Sequence, residues 1–358
     1  MKTKKLFLIG SLLMSIILIT TSCKKEKDDT TPVVPDPITI INGNHYFGAG
    51  SYGDIIRYEI DNTNKKFKYI NETTNVSDSG SFVLSSNSDL NGVYEISIGS
   101  NFYYGIELAD KMFATSLPSG NQQNSLCFGI TSENNLSTAY TANDIAGKYI
   151  WISYSNLDDF EWGGYEILSN GTFTWQIGPD DDNDFDENTH FAGGGVGTWT
   201  VSQTDPSRII FTDGVTTQIG SVYPGKFMLI DNGVGQGFTA GIKYPDSPVS
   251  QSSIAGVYRW LDVTPEGYLG VGHFTLPATG TTASYYYNYF NNPYLSSGTQ
   301  TMTNFVRSTK INNAFIGQDT FDNDVFYTSF IVLPGEALLF FTWGDNGMVS
   351  YGVAGKIN

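Results

Sequence analysis

A heptapeptide that occurs twice constrains this chain more than any other feature. Ile145-Ala146-Gly147-Lys148-Tyr149-Ile150-Trp151 returns as Ile254-Ala255-Gly256-Val257-Tyr258-Arg259-Trp260, with glycine, tyrosine and tryptophan in one register. Asn42-Gly43-Asn44-His45-Tyr46-Phe47 is a weaker copy upstream, so that Gly43, Gly147 and Gly256 stand 104 and then 109 residues apart. An interval that long repeats whole domains or groups of strands, since a single hairpin is far shorter.

Between the copies the chain is rich in Tyr, Phe, Val, Ile, Thr, Asn and Gly and shows no sustained helical period, which predicts an almost wholly β protein. In the first module, strands are expected near residues 44–47, 54–60, 66–71, 80–84, 93–98, 102–108, 111–115 and 126–131. They are separated by turn formers such as Asp89-Leu90-Asn91-Gly92. The second module repeats the plan. Tyr165-Glu166-Ile167 matches Tyr58-Glu59-Ile60, and the intervening Asn170-Gly171 is a strong two-residue hairpin signal. Gly197-Thr198-Trp199 matches Gly80-Ser81-Phe82 and, in the third module, Gly298-Thr299-Gln300. Pro224-Gly225-Lys226-Phe227 likewise matches Pro334-Gly335-Glu336-Ala337. The modules read as residues 39–131, 145–244 and 254–358, and about a hundred residues is enough for each to carry its own core.

Eight strands per module fit two architectures. One is three tandem antiparallel barrels; the alternative is a single six-bladed propeller in which every module supplies two four-stranded blades. The two halves of a module do not resemble each other, which favours barrels. The opening Gly-x-Tyr, the Asn-Gly-Thr-Phe hairpin and the Gly-Thr-Trp-Thr-Val strand together resemble the small lipocalin-like domains of Bacteroidota lipoproteins. That resemblance implies small barrels that can enclose a cavity, with no ligand attached.

The N-terminus has a different character. Lys2, Lys4 and Lys5 precede an apolar run from Leu6 to Ile19, too short for an ordinary membrane-spanning helix, so residues 1–22 read as a secretory signal. Thr20-Thr21-Ser22-Cys23 resembles the lipobox of bacterial lipoproteins, which implies acylation of Cys23 and a palmitate-type anchor. The charged Lys24 to Asp29 run resembles the surface-export signal of Bacteroidota lipoproteins, and with the Pro-rich stretch to residue 38 it forms a tether. The expected address is the outer membrane, lipid-anchored and facing the cell exterior. Once Cys23 is lipidated only Cys127 remains, in the apolar run Leu126 to Ile130, where a buried small hydrophobe is expected and no intrachain disulfide can form. A formal net charge of −17 repels nucleic acid and excludes it as a partner.

Enzymatic signatures are missing. His45, His190 and His273 are the only histidines, one per module and not at metal-ligand spacing, and no Gly-x-Ser-x-Gly elbow occurs. Gly48-Ala49-Gly50-Ser51-Tyr52-Gly53 matches a dinucleotide fingerprint but leads into a strand, so it reads as a flexible hairpin tip. Asp158, Asp159 and Glu161 have the chemistry of an acid/base pair, and also that of a solvated loop. The acidic run Asp180 to Asn188 places Asp180, Asp182, Asp184 and Asp186 at alternate positions that can wrap calcium, although it lacks the EF-hand glycine; its simpler reading is a solvated acidic loop.

The last feature is aromatic. Tyr285, Tyr287 and Tyr289 fall on one face of a strand, with Tyr286 and Phe290 on the other. An exposed tyrosine row with Asn288 beside it suits a sugar ring; the alternative is a row packed in a β core. Trp151 and Trp260, with Phe47 as counterpart, are expected to plug the closed end of each module. The functional reading is a surface lipoprotein that binds glycan or another small amphipathic ligand, without catalysis and without cofactor unless calcium. A structural or adhesive protein is the alternative, and a glycan hydrolase with paired carboxylates is third.

Overall fold

The computed structural model describes residues 43–117, 125–132, 140–154, 160–178, 194–264, 267–290, 297–321, 324–344 and 347–356. Cys23, His190, Tyr294 and the whole acidic run from Asp180 to Asn188 lie outside the described residues. The chain forms three closed eight-stranded antiparallel barrels, which decides between barrels and a propeller. The first runs from β1 (Asn44–Gly50) to β8 (Cys127–Thr131), the second from β9 (Gly147–Tyr154) to β16 (Gly237–Lys243), and the third from β17 (Gly256–Val263) to β24 (Gly347–Lys356). Every strand pairs with its sequence neighbours, and the first strand of each barrel also pairs with the last. Closure leaves no unpaired sheet edge.

The repeated heptapeptide now has a physical account. In the second and third barrels a single helical turn, Ala142–Ile145 or Gln251–Ile254, drives a fully buried isoleucine into one end. The next residue offers its carbonyl to a lysine from the last strand: Lys243 Nζ donates to Ala146 O at 3.3 Å and Lys356 Nζ to Ala255 O at 2.6 Å. The same lysines lie 5.3 Å from the Tyr149 ring and 5.7 Å from the Tyr258 ring. Glycine two residues before that tyrosine leaves room for this lysine, since a Cβ on Gly147 would fall 1.7 Å from Lys243 Nζ and displace it. Farther in, each tryptophan lies across a glycine of the neighbouring strand, Trp151 over Gly163 and Trp260 over Gly272.

The first barrel departs from this pattern, and the departure corrects the expected counterpart of the tryptophans. Pairing of Tyr46 with Tyr58 corresponds to Tyr149 with Tyr165 and Tyr258 with Phe274, so the position of Trp151 and Trp260 is occupied by Gly48 and not by Phe47. Ring and glycine have exchanged strands: a Cβ on Gly48 would lie 2.4 Å from the Tyr58 ring. Phe47 points outward, where the Arg208 guanidinium of the second barrel lies 5.5 Å from its ring. A second register correction falls in the third barrel. Phe305, whose N–H bonds to Thr281 O, takes the place of Phe82 (to Lys65 O) and Trp199 (to Gly171 O), and Gln300 does not.

Each barrel has an interior cluster of its own, and a further cluster lies between barrels, built from outward faces of all three. Phe47, Phe128 and Ile130 of the first barrel meet Ile150, Phe227 and Phe238 of the second and Leu261, Ile331 and Leu339 of the third in that shared core. Strands turned toward it are apolar on both faces, as in β8 and β15, whereas β2 and β3 alternate. Glu336 of the third barrel accepts from Lys226 of the second at 2.5 and 2.7 Å and pairs with Lys111 of the first at 3.1 Å. Burial works to raise its carboxyl, but the two lysines outweigh that and hold it below the usual range. The glycine-rich segment 48–53 is a hairpin connection, but not a loose one. Gly53 sits at φ +79° with room for no side chain, since a Cβ there would lie 1.7 Å from Gly233 O of the second barrel.

Candidate functional site

β19 (Ala283–Phe290) carries the tyrosine run, and its pleat sorts the side chains. Tyr286 and Phe290 face outward: Tyr286 stacks on His273 at 5.8 Å and Phe290 on Tyr104 of the first barrel at 4.5 Å. Asn288 shares that outward face. Tyr285, Tyr287 and Tyr289 turn into the barrel, with ring centroids 6.1 Å apart at each step, and Tyr289 lies 6.3 Å from Trp260. The exposed sugar-stacking row expected from the sequence is therefore an interior wall, and the structure does not bring Asn288 to it.

This wall bounds a cavity of about 110 Å³, lined also by Asp262, Asp319, Thr328 and Thr342 above Trp260. Such a volume holds several water molecules. The two carboxyl groups are the residues that sequence reasoning missed. Tyr289 OH donates to Asp262 Oδ2 at 2.7 Å, and Tyr285 OH donates to Asp319 Oδ2. Oδ1 of each acid has no hydrogen-bond partner, although Asp262 is only 1% and Asp319 only 6% exposed. Burial pushes the Asp262 carboxyl up to about 7, with Tyr289, Ser350 and the Gly270 N–H pulling the other way. Burial raises Asp319 as well. Burial and the neighbouring acids together raise the hydroxyls of Tyr285 and Tyr289.

The equivalent region of the second barrel is a cavity of about 410 Å³ over Trp151, lined by Glu161, Tyr165, Trp175, Asp213, Gln218 and Asn232 among others. Here Ser153 stands where the third barrel has Asp262. A neutral network covers the tryptophan: Asn232 Nδ2 donates to Ser153 Oγ at 3.0 Å, and Thr239 and Gln218 donate to Asn232 Oδ1 at 3.1 and 3.3 Å. Asp213, the counterpart of Asp319, is turned back on its own loop, accepting from the N–H groups of Val215 and Thr216 at 2.8 and 2.7 Å. Of the acid trio noted in the sequence, Glu161 lines this cavity, and Asp158 and Asp159 lie outside the described residues.

In the first barrel, rings pack the described interior. Phe113 lies 5.2 to 6.5 Å from Tyr46, Tyr58, Phe67 and Tyr94. Cys127 is fully buried in this cluster, and burial pushes its thiol up to about 12, which leaves it inert. Among the described residues no group of three His, Cys, Asp or Glu side chains is placed to hold a metal.

No family model matches the chain, and no curated protein matches it. Among solved structures, a candidate outer membrane protein of Bacteroides fragilis aligns with 61% of this chain and 99% of its own, at 11% identity and a TM-score of 0.22. Luciferin-regenerating enzyme aligns with 88% of this chain and 92% of its own, at 9% identity and a TM-score of 0.13. At these TM-scores neither likeness bears on what this chain does.

Proposed function

We propose that the protein is an outer-membrane lipoprotein, anchored through Cys23 and facing the cell exterior, that binds a small amphipathic ligand without catalysis. The observation that carries this reading is the third barrel's interior: an aromatic wall, two carboxyl groups and a cavity. A concave site with an apolar wall and a few polar groups is the usual form of a small-molecule site. It suits a compact ligand better than a glycan chain laid along an open tyrosine face. Outward positions of β20 (Ser297–Arg307), among them Ser297, Thr299, Thr301 and Thr303, are polar and exposed, which supports a body in water on a lipid tether over a barrel embedded in lipid.

We read the two carboxyl groups, both raised by burial, as groups that hold a ligand and not as a hydrolytic pair. The test is a thermal-shift screen of the full-length protein beside Thr342→Phe, which fills the cavity. Compounds that stabilise the first and not the second are expected, unchanged after prolonged incubation. A library that stabilises both equally, or a hit that is consumed, overturns the reading. The anchor is tested separately: Cys23→Ala should move the protein from the detergent phase to the soluble fraction, and unchanged partitioning would remove the membrane from the proposal.

A further inference from the structure

We propose that the third barrel's cavity is a site for a small organic cation, an amine or quaternary ammonium, held between Asp262 and Asp319 and against the rings of Tyr287 and Trp260. The inference rests on the binding role proposed above and names its ligand class. Three observations point to positive charge. Among the described residues the cavity lining includes two acids and no Lys, Arg or His. Each of Tyr285 and Tyr289 donates its hydroxyl to one carboxylate oxygen, and the other oxygen of each acid, buried, makes no well-formed hydrogen bond, although Ser350 and the Gly270 N–H lie near Asp262. Two buried carboxylates against an aromatic wall are costly when ionised and unpaired, and a cation placed between them lowers that cost.

The walls select the kind of cation. Trp260, Phe274, Tyr285, Tyr287 and Tyr289 present π surface, which attracts a weakly hydrated ammonium within about 6 Å of a ring centroid and gives little to a hard metal ion that demands oxygen ligands. The second barrel supports the assignment by contrast. Its cavity is also lined by two acids, but Glu161 and Asp213 are exposed, Asp213 is held by its own loop and Ser153 stands in place of Asp262, so of the two cavities the third barrel's has the buried acid pair. The net charge of −17 also favours delivery of a cation over an anion.

Choline and its neutral carbon isostere, 3,3-dimethylbutan-1-ol, separate charge from shape. Both would be titrated calorimetrically into the full-length protein near pH 8, with calcium chloride and glucose as further probes. Choline should bind at least about tenfold more tightly than the alcohol. Asp262→Asn and Asp319→Asn should each weaken choline by about tenfold and leave the alcohol within about twofold. The titratable groups lining the cavity are Asp262, Asp319, Tyr285, Tyr287 and Tyr289, so choline binding near pH 7 should release a proton from the acids. That release is read from the dependence of the heat on buffer ionisation. If either Asn variant fails to fold, Tyr287→Leu serves instead, and it should weaken choline several-fold while sparing the alcohol.

Equal affinity for the two isosteres overturns the cation assignment and leaves a neutral-ligand cavity. Calcium binding that depends on the acids, with no choline binding, overturns it in favour of an inorganic ion. Binding of none of these probes overturns it too. The wider reading falls only when the thermal-shift screen also finds no compound that distinguishes the cavity-filled variant.

Discussion

The first and third barrels share one strand order and have opposite interiors. Strands of the first are 4 to 9 residues long and those of the third 8 to 11. In the first, Tyr58, Phe67 and Phe113 pack together inside the barrel, and in the third a cavity lies beside Trp260. Each barrel buries acid, but to different ends. Glu107 of the first is saturated, accepting from Tyr46 at 2.6 Å, Asn44 at 2.9 Å, Asn62 at 2.8 Å and Tyr94 at 2.6 Å. Asp262 and Asp319 each retain an unmet oxygen. The contrast shows where function resides in a repeat protein: in the departures from the repeat, since shared positions such as Ile254, Gly256 and Tyr258 serve closure.

The most direct way to break this comparison is to empty the filled barrel. Phe113→Ala removes a ring packed against four others and should cost about 4 kcal/mol in chemical denaturation. Tyr287→Ala, at a half-buried ring beside existing space, should cost about 1 kcal/mol, because little new cavity is made. Equal losses would mean that the third barrel is as tightly filled as the first.

A smaller effect separates the acids. Asp262 titrates near 7 in the folded protein against an ordinary 3.8, so between those values the folded state holds a proton that the unfolded state has released. Stability should therefore fall as pH rises through that window, by about 2 kcal/mol between pH 5 and pH 7. Asp262→Asn should flatten the slope and gain stability at pH 8, with no gain below pH 4. Asp231, also pushed up to about 7 by burial, contributes in the same direction and leaves a residual slope. Melting curves at several pH values decide it, and a variant that follows the wild type throughout would show Asp262 ionised at no cost.

Smaller again is the seam joining the barrels. Glu336→Gln leaves Lys111 and Lys226 without their shared carboxylate and should cost about 1 kcal/mol, less in high salt because the groups are partly exposed. The same seam bears on whether residues 145–244 can stand alone. Cut from its neighbours, that segment would expose Ile150, Phe227, Leu229 and Phe238 of the shared core. It should bind a hydrophobic dye and self-associate in sedimentation, where an independent barrel would stay monomeric.

Strand positions and closure were legible because they depend on local pattern: alternation, turn residues and a repeat long enough to carry eight strands. Register was less so. The tyrosine of the weak first copy is offset by one residue, and only cross-strand pairing shows that Gly48, not Phe47, holds the tryptophan position. Gln300 follows Gly-Thr as Trp199 does, but the structure gives that place to Phe305, beside an irregularity in β20. Asp262 and Asp319 did leave a signal. Each lies inside an apolar strand at an inward position, Asp262 two residues after Trp260 and Asp319 two after Gly317. What the sequence does not show is that the two strands bring them to one cavity, since β17 and β21 (Ala314–Phe321) are four strands apart around a closed barrel.

The smallest expected effect sharpens the comparison most, because it lies on the same strand as the site. Asn288 was singled out in the sequence for the chance of a hydrogen bond to a ligand beside the tyrosines. β19 places it on the outward face, paired across the sheet with Val271 and Ser297, half-buried and away from the cavity lining. Asn288→Ala should change stability by no more than about 0.5 kcal/mol, as surface substitutions do. It should also leave the affinity for any cavity ligand unchanged, while Tyr287→Leu one residue away weakens it. The pair differs by a single step along the chain and by the whole thickness of the barrel wall. An Asn288→Ala variant that lost ligand as Tyr287→Leu does would place recognition on the outer face, and the two acids inside would then need another reason to be there.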